Sequence, residues 1–105
     1  MKPSGIRIKQ ADSLLQDFLK EVKFLDTSII GSLLMSKLEV NYAFEIKAKA
    51  LYGIEFLSKK NTDYLGYFKG QAERLRDFPE PEDNVDNYRK ILKSVMNVLG
   101  TPISN

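Results

Sequence analysis

Asn41-Tyr42-Ala43-Phe44-Glu45-Ile46-Lys47-Ala48-Lys49-Ala50-Leu51-Tyr52-Gly53-Ile54-Glu55-Phe56-Leu57-Ser58-Lys59-Lys60 reads as one long helix. On a 100° wheel, Ala43, Phe44, Ile46, Ala50, Leu51, Ile54 and Leu57 spread over a wide arc. An arc that wide predicts a central helix touched by several neighbours. Lys47 falls inside that arc, and Gly53 costs about 1 kcal/mol against alanine in mid-helix. Glu45–Lys49 and Glu55–Lys59 form favourable i, i+4 pairs on the remaining stripe.

The flanking chain is punctuated by turn residues. Downstream, Asn61-Thr62-Asp63 breaks the helix and caps the next, where Tyr64, Leu65, Phe68, Ala72 and Leu75 recur at helical spacing to about Asp77. Phe78-Pro79-Glu80-Pro81-Glu82-Asp83-Asn84 is a loop with two prolines. Val85, Tyr88, Ile91, Leu92, Val95, Met96 and Leu99 then mark a last helix, which Gly100 and Pro102 stop. Upstream, Ala11, Leu14, Leu15, Phe18, Leu19, Val22 and Leu25 predict an amphipathic helix. Asp26-Thr27-Ser28 offers cap chemistry for a second one carrying Ile29, Ile30, Leu33, Leu34 and Leu38. The join is very short, so these two helices are expected to form an antiparallel hairpin. Gly31, Ser32 and Ser36 let a neighbour approach closely. The expectation is a leader at 1–10, one all-α domain of about five helices at 11–100, and a tail at 101–105. No stretch alternates at period two, so no sheet is expected.

Composition excludes much chemistry. The 105 residues include no cysteine and no histidine. Disulfides, thiolate zinc sites, thiol nucleophiles and Ser-His-Asp triads are therefore excluded. No phosphate-cradling glycine loop occurs. No enzyme activity, cofactor or metal is expected. The net charge of +2 is too balanced to point to nucleic acid. No apolar run reaches the roughly 18 residues of a membrane span, and Met1–Gln10 lacks the apolar core of a secretory signal, so a cytoplasmic location is expected.

A resemblance enters at Lys49-Ala50-Leu51-Tyr52-Gly53-Ile54-Glu55-Phe56-Leu57-Ser58-Lys59-Lys60-Asn61. This run is similar to the core helix of ENTH domains, which reads Lys-Ala-Leu-x-Leu-Leu-Glu-Tyr-Leu. Phe44 stands where that family has tryptophan. Leu75-Arg76-Asp77-Phe78 resembles its segment before an acidic loop, and Val85-Asp86-Asn87-Tyr88-Arg89-Lys90-Ile91-Leu92-Lys93 resembles its following helix. The likeness preserves order from Phe44 to Leu99. It implies a shortened or divergent ENTH/VHS-type domain: an armadillo-like, right-handed superhelical stack. It further implies an adaptor in clathrin-linked vesicle trafficking and endocytosis, peripheral to Golgi, endosomal or plasma membranes. The domain would bind a short peptide or coat component in an inter-helical groove.

Four surfaces could carry binding. Tyr52 and Phe56 lie one turn apart in the charged stripe with Lys49, Lys59 and Lys60. They are either interface anchors or core residues covered by another helix, and a central helix favours the second. Lys2, Arg7 and Lys9 could read a phosphoinositide, though Ile6 and Ile8 are spaced for no helical face and an inert leader is preferred. The basic residues of the second half are interleaved with acids, as on an ordinary solvated surface. The acidic proline loop lacks calcium-loop spacing and is expected to cap the last helix through Asp83 and Asn84. Alternative readings are a peripheral phosphoinositide-binding module and a scaffold or oligomerisation fragment of a longer helical solenoid.

Overall fold

The computed structural model describes residues 4–39 and 42–103, with side chains from Gln16 onward. Five helices follow in order: α1 (Ser4–Glu39), α2 (Phe44–Lys60), α3 (Thr62–Gly70), α4 (Ala72–Asp77) and α5 (Val85–Val98). No strand occurs among the described residues. The number of helices agrees with the sequence reading, but the chain is divided differently.

The expected hairpin of two N-terminal helices is absent. Residues 4–39 form one helix of 36 residues, which also takes in Ser4–Gln10 of the expected leader. The supposed cap residues explain the difference. Thr27 Oγ1 donates to the Lys23 carbonyl at 2.8 Å, and Ser28 Oγ donates to the Leu25 carbonyl at 2.9 Å. Both hydroxyls satisfy themselves on the preceding turn, so the helix runs through them. Nothing from Phe24 to Ile30 is glycine or proline, and cap chemistry without a breaker does not end a helix.

α2 lies at the centre, as its apolar arc requires. Its Ala50, Leu51 and Ile54 are buried among Met35 and Leu38 of α1, Phe68 of α3, Ala72 and Leu75 of α4, and Tyr88, Leu92, Val95 and Met96 of α5. The buried face is rotated from the expected one. Lys47, Ala48 and Ser58 are buried with it, while Leu57 is half-buried and Ile46 is exposed. α1 crosses α3 closely at Gly31, where a Cβ would overlap the Tyr67 ring carbons. The neighbouring Ser32 and Tyr67 hydroxyls lie 3.2 Å apart.

The ends obey local rules. Asn61 Oδ1 accepts from the Asp63 amide at 2.7 Å, capping α3. The predicted fourth helix is split at Gln71 into α3 and α4. Gly100 adopts φ 79° after α5, with Thr101 N–H bonded to the Met96 carbonyl at 3.0 Å and Gly100 N–H to that of Asn97 at 3.1 Å. This is the Schellman closure expected of a glycine there.

Candidate functional site

The helical head is tied together from within by Lys47. Its side chain is fully buried, and Nζ donates to the Leu38 carbonyl at 3.2 Å and to the Pro79 carbonyl. The ammonium also lies 6.0 Å from the Tyr88 ring centroid. One cation therefore joins the C-terminal turn of α1 to the proline loop. Burial pulls the Lys47 pKa below its ordinary value. Burial first, and the nearby Glu80 carboxylate second, push that of Tyr88 up. The loop is fastened again outside, where Arg89 Nε and Nη2 grip Glu80 at 2.5 and 2.9 Å. That hydrogen-bonded contact holds the Glu80 carboxyl below its usual range. Asp83, expected to cap α5, instead accepts from the Phe44 amide at the start of α2 at 3.4 Å. Asn84 takes the α5 N-cap position with φ 52° and no side-chain cap bond. Burial and these two carbonyl contacts give Lys47 a structural role.

The outer surface carries two apolar strips. One lies on α2, where Lys49, Tyr52, Phe56, Lys59 and Lys60 are all exposed. Helical periodicity gathers them within an arc of about 100°. Tyr52 is 56% and Phe56 60% exposed, so the expectation that another helix covers them fails. Lys60 Nζ stands 5.6 Å from the Phe56 ring centroid. Lys59 pairs with Glu55 at 3.7 Å, and Ser94 of α5 donates to the same carboxylate at 2.5 Å. Tyr64 and Tyr67 are half-buried against the core.

The larger strip is on α1. Phe18, Leu25, Ile29 and Leu33 are 56–61% exposed, and Val22 between them is half-buried. Spacings of three and four put all five on one face within about 80°. The docked residues Thr27, Gly31, Met35 and Leu38 lie roughly half a turn away on the same helix. α1 is thus apolar on two opposite faces, of which the head occupies one. Sequence periodicity finds the open set, and Leu38 of the docked one. It assigned them to two short helices facing each other, which hid the open face.

Between α1 and the start of α3 lies a cleft of about 600 Å³, bordered by Lys20, Lys23, Phe24, Thr27, Asp63 and Tyr67. Lys2, Arg7 and Lys9, the candidate lipid-binding residues, fall outside the described side chains. No cluster of His, Cys, Asp or Glu able to hold a metal ion occurs among the described residues. No described helix is long and apolar enough to cross a membrane. No family model matches this chain, and neither does any curated protein or solved structure.

Proposed function

We propose that this chain is a non-catalytic protein-interaction module, in which a helical head presents α1 as a docking arm. The observation that carries this reading is the alignment of exposed large apolar residues on one face of α1: Phe18, Leu25, Ile29 and Leu33. Exposed apolar surface in one strip is the signature of an interaction site. The absence of histidine and cysteine from the whole sequence argues against catalysis. Photo-crosslinking groups placed at Phe18 and Ile29, with exposed Lys93 on α5 as a control position, test this reading. The expected result is one discrete adduct, identified by mass spectrometry, from the two α1 positions alone. No adduct, or the same smear from all three, contradicts it.

The ENTH/VHS-like stack and the vesicle-trafficking adaptor role form a narrower proposal. It is supported by the order-preserving resemblance from Phe44 to Leu99 and by the common exposure of Lys49, Tyr52, Phe56, Lys59 and Lys60. In this reading the strip on α2 receives the peptide or coat component. Binding to purified clathrin or adaptor subunits, lost on Tyr52→Ala with Phe56→Ala, is the expected outcome; no binding would remove the trafficking assignment.

A further inference from the structure

We propose that the open face of α1 receives an amphipathic helix from a partner protein, one whose apolar stripe is flanked by lysine and arginine. This deepens the interaction-module reading and rests on it. The argument comes from the charges that border the stripe. On the helix wheel, Asp17 and Glu21 run along one edge of the Phe18–Val22–Leu25–Ile29–Leu33 strip, and Asp26 lies on the other. All three acids are exposed, and no ion pair joins them to a described residue. Lys23 borders the cleft toward α3, Lys20 lies beside Glu21 and Leu25, and exposed Lys37 shares the edge of Asp26 toward the end of the helix.

An acidic rim selects among possible occupants, because charges flanking an apolar helix seam set partner choice and orientation. A second copy in parallel register would bring Glu21 beside Asp26 of its mate. A second copy in antiparallel register would lay the Asp17/Glu21 edge on the same edge of its mate. Like charges thus oppose a parallel pair, and in an antiparallel pair they oppose contact along the Asp17/Glu21 edge. An anionic bilayer meets the same repulsion, since surface helices of that kind carry Lys and Arg on their flanks. A helix with Lys and Arg on the flank that meets Asp17 and Glu21 gains attraction there and buries the same apolar residues. This is recognition of a helix along an apolar face, read at spacings of three and four.

Two synthetic helical peptides provide the probe. They share one Leu/Ile face and differ only in flanking residues, all Lys in one and all Glu in the other. Fluorescence anisotropy with the full chain is expected to show at least tenfold tighter binding of the Lys-flanked peptide, weakening as salt rises. Leu25→Ser with Ile29→Ser should abolish binding. Asp17→Lys with Glu21→Lys and Asp26→Lys should invert the preference toward the Glu-flanked peptide. All five substituted positions are exposed, and circular dichroism checks that the helix content is kept. Equal affinity for the two peptides, no inversion on charge reversal, or binding of neither overturns the proposal. So does a micromolar dimer in sedimentation equilibrium that the Ser variants dissolve, or stripe-dependent binding to phosphatidylserine vesicles. If the peptides fail while crosslinking from Phe18 still yields a discrete partner, only the basic-helix chemistry falls; if crosslinking fails too, the interaction role falls with it.

Discussion

Replacing Lys47 separates what its stem contributes from what its charge contributes. The side chain is fully buried, and its ammonium supplies two backbone carbonyls, those of Leu38 and Pro79. Lys47→Met keeps the stem and strips both carbonyls of their donor. Each orphaned carbonyl costs about 1–3 kcal/mol, offset in part because a buried ammonium no longer has to be desolvated. The expected net loss is about 1–3 kcal/mol. Lys47→Ala loses the same hydrogen bonds and also about three buried methylenes, worth roughly 0.8 kcal/mol each. Its expected loss is about 3–5 kcal/mol, a large share of the roughly 5–15 kcal/mol that holds a domain together. Urea unfolding followed by far-UV circular dichroism reads both, with Met midway between wild type and Ala. A Met variant as stable as wild type would refute the idea that the two carbonyl contacts contribute net stability.

Three further outcomes follow from local geometry. Gly31→Ala forces a methyl into the Tyr67 ring and should cost about 1–3 kcal/mol; Tyr67→Ala in the same chain should remove most of that penalty in a double-mutant cycle. Gly100→Ala puts a side chain at φ 79° and should lower stability by about 1 kcal/mol, seen as a lower thermal midpoint. The pH dependence has a definite sign. Lys47 loses its proton more readily in the folded than in the unfolded chain, so between its lowered pKa and 10.5 the unfolded state binds more protons. Wild type should therefore gain stability relative to Lys47→Met as pH rises through that window. Tyr88, with its pKa raised above 10.0, should make the wild type's own stability fall as pH climbs past that value, and Tyr88→Phe should suppress that fall.

The sequence was most legible where one local signal had one meaning. The period of Val85–Leu99, with Gly100 and Pro102 after it, could be read as nothing but a helix and its closure, and α5 obeys it. Asn61 likewise caps α3. Asp26-Thr27-Ser28 carried two meanings, because a hydroxyl can cap the following turn or bond back to the preceding one. The neighbouring residues decided for the second, and a hairpin became an arm. Lys47 falls inside the apolar arc and is buried there, whereas Ile46, at the edge of that arc, was expected in the core and is exposed. Backbone carbonyls take up the Lys47 ammonium, and the buried face of α2 is turned toward Ala48 and away from Ile46. Tyr52 and Phe56 lie on the charged stripe that the wheel gives them, and no described helix covers that stripe.

The continuity of α1 is the claim on which the open apolar face depends, and a distance along the helix tests it. Because the chain has no cysteine, Gln16→Cys with Lys37→Cys offers two unique and exposed labelling points. Twenty-one residues of unbroken helix at 1.5 Å each separate their backbones by about 32 Å. Double electron–electron resonance between spin labels there should give a single narrow distribution near that value. A distribution centred near about 10 Å, the spacing of packed antiparallel helices, would mean that the chain folds back on itself and that the docking face does not exist.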